Sequence, residues 1–330
     1  MTACAVDGQP TQLPIVNTRA DHKQGCCSAS DAADARRVAD RFSIPFYALN
    51  LQAEFREIID YFVDEYSRGR TPNPCVVCNH WIKFGRLFDY ADSIDADYVA
   101  TGHYARLEPS SEDGLPSLHR GIDGTKDQSY VLFGIDRTLL RRMMLPIGGF
   151  EKRRIRELAH DLGLSLADKP DSQEICFVTS GKHDEFVRQR RDEDLSGDIV
   201  TTQGDIVGQH VGIERFTIGQ RKGLGVAMGE PYFVTRIEPD TRRVVIGQKH
   251  ELARSSLTAG RTNWMVDMPN PSLRCLAKIR YNSPAAPATL KILDDERIQL
   301  DFDEPRFGVA PGQAVVCYDG TQVLGGGWIE

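Results

Sequence analysis

Near residue 195 the sequence changes texture, and this change limits the fold more than any other feature. Before it, apolar residues recur at helical spacing between short apolar runs; after it, glycine is frequent and helical periodicity fades. Ala32, Ala35, Val38, Ala39 and Phe42 form one helical stripe. Phe55, Ile58, Ile59, Phe62, Val63 and Tyr66, at i, i+3, i+4, i+7, i+8 and i+11, form the clearest amphipathic helix. Ile82, Leu87, Phe88 and Ala91 suggest a third helix, and Ile155, Leu158, Ala159 and Leu162 a fourth. Between them, Ile44 to Leu51 reads as a strand. Asp97 to Ala100 reads as a short buried strand that runs into Thr101-Gly102-His103-Tyr104. Alternating helix and strand implies an α/β domain around a parallel sheet.

The second half predicts strands. PYFVTRIEPDTRRVVIG (231–247) reads as strand, turn, strand, with the turn at Pro239-Asp240. LRCLAKIRY, ATLKIL, RIQLDF and QAVVCYDGTQVLGGGWI continue the pattern, so 249–330 is expected to be a small β-barrel. The stretch 181–248 connects it to an α/β domain over 1–180. Three units suit 330 residues.

Net charge of −7 argues against a broadly basic nucleic-acid binder. Seven basic side chains nevertheless gather at Arg137, Arg141, Arg142, Lys152, Arg153, Arg154 and Arg156, opposed only by Glu151. Such a strip is either a solvated helix face or a phosphate contact. No apolar run approaches a membrane span, and the N-terminus lacks the basic-then-apolar pattern of a secretory signal. Eight cysteines are too few for a disulfide scaffold, which favours a reducing cytoplasm and reduced thiols.

Two cysteines stand in polar, turn-rich sequence, where reactivity rather than packing explains a thiol. Cys78 lies in TPNPCVVCNHWIKFG (71–85), and Cys176 in KPDSQEICFV (169–178). The prolines flanking Asn73 exclude helix there. Asn79 could cap a following helix and put Cys78 at its N-terminal end, where the dipole favours thiolate. The Cys75-x-x-Cys78 spacing also admits a redox pair or half a zinc site, with Cys26 and Cys27 as an awkward second half. Asp171 and Ser172 fit a turn before Cys176.

Both cysteine segments resemble, almost word for word, the motifs of the bacterial tRNA-specific 2-thiouridylases. The resemblance runs from about Gly25 to the C-terminus and includes Thr217-Ile218-Gly219-Gln220-Arg221-Lys222-Gly223. It implies an adenine nucleotide alpha hydrolase-like, PP-loop ATP pyrophosphatase-type α/β domain, then a small linking domain and a C-terminal β-barrel that contacts tRNA. It implies ATP-dependent 2-thiolation of the wobble uridine in tRNAs for Lys, Glu and Gln. ATP, with Mg²⁺, adenylates the C2 oxygen. Cys176 delivers sulfur as a persulfide, and Cys78 is the nucleophile, with a transient Cys78–Cys176 disulfide. Asn73, Pro74 and Cys75 face the target base, and Gly102 touches ATP. His103, Lys126, Asp127, Gln128, Arg280, Tyr281 and Gln313 contact tRNA. The sulfur comes from a relay protein fed by a cysteine desulfurase.

One departure is expected to matter. The family opens with a strand, an SGGxDS loop for the ATP phosphates, a helix and a second strand. Here MTACAVDGQPTQLPIVNT stands where the region after that second strand is expected. About one βαβ unit, roughly 30 residues, is thus expected to be absent, through a start inside a longer reading frame or in a shortened paralogue. Weak ATP binding and poor solubility would follow, and a tRNA-binding paralogue without ATP-dependent activity is the competing function.

Overall fold

The computed structural model describes residues 29–109, 114–169, 175–178, 183–191, 193–267, 271–294 and 296–330. The expectations about the first loop, Cys26, Cys27, Asp171 and Ser172 fall outside these residues.

The first unit is helical around a short parallel pair. Helix α1 is Ala29–Arg41 and α2 is Gln52–Ser67. The buried stripe of α2, Ile58, Phe62, Val63 and Tyr66, matches the spacing read from sequence. Helix α3 is Pro74–Cys78; it continues through a π-helical stretch, Asn79–Arg86, into α4, Leu87–Ser93. Strand β1, Val99–Ala100, leads to the hairpin β2, Ala105–Glu108, and β3, Ser117–Arg120. Strand β4, Met143–Met144, pairs in parallel with β1. Helix α5 is Lys152–Asp161 and α6 is His183–Arg188. The expected strand at Ile44–Leu51 is not formed. No other described strand pairs with it, and Ile44 and Leu49 are exposed. A β-prone run becomes a strand only where a neighbour supplies its ladder.

The middle unit is a four-stranded sheet in the order β6-β5-β8-β7. Its strands are β5, Gly197–Thr201; β6, Ile206–His210; β7, Phe233–Glu238; and β8, Arg243–Gly247. Ile199, Ile213, Phe216, Val234, Val244 and Ile246 fill its core.

The last unit closes. Its strands are β9, Ala253–Trp264; β10, Ser272–Lys278; β11, Ala286–Ile292; β12, Ile298–Phe307; β13, Ala314–Asp319; and β14, Gln322–Ile329. All neighbours are antiparallel, and β13 pairs with both β10 and β14, which completes a six-stranded barrel. The run AVVCYD does not alternate because both its faces are buried. Val315 and Cys317 point into the barrel, while Ala314, Val316 and Tyr318 join the core of the α/β unit. Gly326 makes this docking close: a Cβ there would lie 2.2 Å from the Val315 carbonyl oxygen and 3.0 Å from the Phe133 ring. Strand β3 also pairs with β14 at His119 and Gln322. The hairpin of the first unit and the barrel therefore belong to one continuous sheet.

Candidate active site

The segment carrying Cys78 is held from the barrel side. Thr71 N–H donates to the Pro311 carbonyl at 2.8 Å. The Gln313 amide donates to the carbonyls of Thr71 at 3.2 Å and Pro72 at 3.4 Å. Asn73 has a non-helical backbone, and its side-chain oxygen accepts the Val76 N–H at 3.3 Å. Asn73 is therefore the helix cap and Pro74 the first helical residue, where a missing N–H costs nothing. This corrects the expected cap at Asn79, which is buried and already helical. The exposed Cys75 stands in the first turn, and Cys78 lies a turn further in, half-buried. The dipole of that helix start thus bears first on Cys75.

Cys78 packs against a small buried cluster of Ile58, Val77 and Ile82, and Phe55, Tyr61, Trp328 and Phe177 pack against the same cluster. Phe177 follows Cys176 directly. Its ring also lies 5.1 Å from Phe62, 5.7 Å from Phe55 and 5.3 Å from Phe186. The two cysteine segments, far apart in sequence, therefore meet on one face of α2. Cys176 is half-buried.

Gly102 lies just past the carboxyl end of β1, exposed, and a Cβ there would meet only Ile147 Cδ1 at 3.9 Å. Its backbone is open to a ligand at the edge where α/β sheets bind nucleotides. His103 is buried. Its Nδ1 is 2.8 Å from the Thr101 hydroxyl, and its ring is 5.8 Å from Phe84. Burial, reinforced by the charge of Lys83, pushes its pKa down to about 3, so the ring is neutral at physiological pH.

Asp127 and Gln128 face inward. Asp127 accepts from the N–H groups of Gly121 and Ser129 and from the Ser129 hydroxyl. Gln128 accepts the Tyr104 N–H at 2.9 Å through its side chain and donates its own N–H to the Tyr104 carbonyl at 2.8 Å. The pair thereby fixes the loop that carries Gly102 and His103. Lys126 is half-buried beside them.

Arg280 and Tyr281 lie beyond the end of β10, in the turn before β11, not within a strand as the sequence suggested. Arg280 Nη2 donates to the Ile218 carbonyl at 2.8 Å, which ties the barrel to the middle unit. Tyr281 is exposed, with its ring 6.1 Å from that of Tyr130 and Lys278 Nζ 5.5 Å from its centroid. The Tyr130 hydroxyl donates to the Ala314 carbonyl at 2.8 Å and is hydrogen-bonded by the Asn73 side chain, while burial raises its pKa. Asn73, Tyr130 and Tyr281 thus form one chain of contacts from the Cys78 loop to the barrel turn.

The same three units appear in the comparisons with known proteins. Residues 6–180 match the family described as tRNA methyl transferase HUP domain, and residues 184–248 the tRNA methyl transferase PRC-barrel domain. Residues 254–329 match the aminomethyltransferase beta-barrel domain. The tRNA-specific 2-thiouridylase MnmA of Rhodopirellula baltica is 58% identical over 99% of this chain and 86% of its own length. This chain belongs to the tRNA-specific 2-thiouridylase family. Its relatives of the same name in Carboxydothermus hydrogenoformans and Geobacter metallireducens are 46% and 47% identical, over 96% and 92% of this chain and 88% and 83% of their own lengths.

For a tRNA 2-thiouridylase family member, the basic strip is divided in its use. Arg142 pairs with Asp92 at 2.6 Å and donates to the carbonyls of Ala96 and Asp97, and Arg137 pairs with Asp267 at 2.6 Å. Arg153 and Arg154 pair only with the exposed Glu157 of their own helix, leaving α5 the outward cationic part. Sequence reasoning missed Tyr61, Tyr130, Phe177 and Trp328 as walls of the site. Only Phe177, beside a motif cysteine, carried any local signal. No described helix is long and apolar enough to cross a membrane, and no cluster of three or more metal-ligating side chains occurs among the described residues.

Proposed function

We propose that this chain is a cytoplasmic tRNA uridine 2-sulfurtransferase acting on the wobble uridine of tRNAs for Lys, Glu and Gln. The observation that carries the reading is the meeting of the Cys78 and Cys176 segments around Phe177, beneath a barrel that clamps the Cys78 loop. ATP with Mg²⁺, when bound, would supply activation of the uridine C2 oxygen. The open backbone at Gly102 suits the approach of such a nucleotide.

The chain's own residues then handle sulfur. Cys176 carries it as a persulfide, received from a relay protein fed by a cysteine desulfurase. The Cys78 thiolate attacks the Cys176 sulfur, forming a Cys78–Cys176 disulfide and expelling hydrosulfide, which adds to C2 as the bond from C2 to the activated oxygen breaks and that oxygen leaves with AMP. Two electrons from a thiol reductant restore both thiols before the next turnover. Asn73, Pro74 and Cys75 face the reacting base, and Lys126, Arg280 and Tyr281 hold the RNA by charge and stacking. His103, neutral and bonded to Thr101, shapes the floor between nucleotide and RNA.

Thiolation tests the reading directly. Unmodified tRNA, ATP, Mg²⁺ and sulfide are incubated with the chain, and thiolated tRNA is retarded in a mercury-containing gel. A retarded band lost in Cys78→Ala and Cys176→Ala is expected. No band with tRNA binding intact would instead indicate a tRNA-binding paralogue.

A further inference from the structure

Trp81 is 41% exposed, whereas Trp264 and Trp328 are half-buried. A single exposed apolar side chain is ordinary; its surroundings are what distinguish this one. Trp81 stands three residues after Cys78 on the same helical stretch. Its ring meets Tyr61 edge-to-face, with centroids 6.0 Å apart at 67°. Tyr61 in turn meets Trp328 at 6.3 Å and 67°, and the Arg261 guanidinium lies 5.2 Å from the Trp328 centroid. Tyr61 and Trp328 pack against the same buried cluster, Ile58, Val77 and Ile82, on which Cys78 rests. An aromatic row therefore runs from Trp328 through Tyr61, over the cluster that holds Cys78, and reaches the surface at Trp81. An edge-to-face contact occupies at most one face of the indole, leaving the other for a partner.

The chemistry around that face selects the partner. Lys83 follows on the same stretch, and Arg261 is exposed beside Trp328. An open indole at one end of a row that carries an exposed cation over its other end suits a stacked base with its phosphate better than an apolar peptide, which would gain nothing from the charge. We infer that Trp81 is a stacking platform for a nucleobase of the anticodon loop next to the reacting uridine. The inference rests on the tRNA reading above and adds to it a residue that selects how the RNA enters.

The test uses the full chain and an anticodon stem-loop RNA. Trp81→Ala should weaken binding roughly 5- to 150-fold, the range expected for losing one base–aromatic stack. Trp81→Phe should bind within a few-fold of wild type. Stem-loops abasic on one or the other side of the reacting uridine then locate the partner. In the wild type one of the two abasic RNAs binds weakly, and in Trp81→Ala that penalty disappears. Wild-type indole emission should also be quenched by the RNA, and Trp81→Phe should lose that quenching while still binding. This arm holds even if Trp81→Ala folds poorly. Equal binding by Trp81→Ala and wild type would overturn the inference, as would abasic penalties that simply add to the mutation. In either case wild-type binding leaves the tRNA reading standing. A wild-type chain that binds no stem-loop would overturn both.

Discussion

Gln313→Met tests whether the barrel clamps the loop that carries the nucleophile. The family resemblance gives Gln313 to the tRNA. The geometry gives its amide to Thr71 and Pro72, at 3.2 and 3.4 Å. Methionine keeps the length and bulk while removing both donors, and the Thr71 N–H to Pro311 bond remains. Each lost bond is worth about 0.5–1.5 kcal/mol net, and both are long, so about 1–2 kcal/mol is expected in total. If this energy holds residues 71–73 locally, their open population rises roughly 5- to 30-fold. Alkylation reads this out, because Cys78 is half-buried while Cys275 and Cys317 are buried in the barrel. Labelling of Cys78 by iodoacetamide, followed by mass spectrometry, should accelerate by up to that factor, with Cys275 and Cys317 unchanged. Single-turnover thiolation should fall much less than labelling rises, because the closed, aligned loop remains the dominant population. Wild-type labelling together with weakened tRNA binding would refute the clamp and return Gln313 to a purely RNA-facing role.

Other expectations follow from the same geometry. Without denaturant, a thiol reagent should modify Cys75 fastest and Cys78 more slowly, while Cys275 and Cys317 react only on unfolding; peptide mass mapping resolves the order. Gly326→Ala should cost about 3 kcal/mol, at the upper end of overpacking costs, because the new methyl would collide with the Val315 carbonyl and the Phe133 ring; denaturant titration measures it. His103 is held neutral by burial, so the unfolded chain binds a proton that the folded chain refuses between pH 6.5 and about 3. Its contribution is complete above pH 6.5 and is lost as pH falls, at up to about 1.4 kcal/mol per pH unit. His103→Asn should therefore have a flatter stability profile than wild type between pH 6.5 and 5, by urea titration at each pH.

The parts legible in the sequence were those whose physics is local. The stripe of α2 announces its buried face, and the alternation of the second half announces strands. The α/β, linking and barrel architecture was readable for that reason. What escaped was settled by partners distant in the chain. Ile44–Leu51 has strand composition without a neighbouring strand among the described residues, and the β2–β3 hairpin extends the barrel's sheet through a pairing with β14, which lies far along the chain. Asn79 looked like a cap because it precedes an apolar stripe, yet Asn73 and Pro74 start the helix six residues earlier, with the barrel holding the chain that enters it. The resemblance assigns Asp127 and Gln128 to tRNA contact, and what the sequence did not show is that their acceptors bond the backbone of the hairpin and of Tyr104. In each case the residue type was visible and its partner was not. The candidate site is made of such partners: Gln313 on Thr71, Tyr130 beside Asn73, and Phe177 against the wall of Cys78. Each of these partners lies far from its target in the chain, so the site takes shape only when the barrel docks on the first unit.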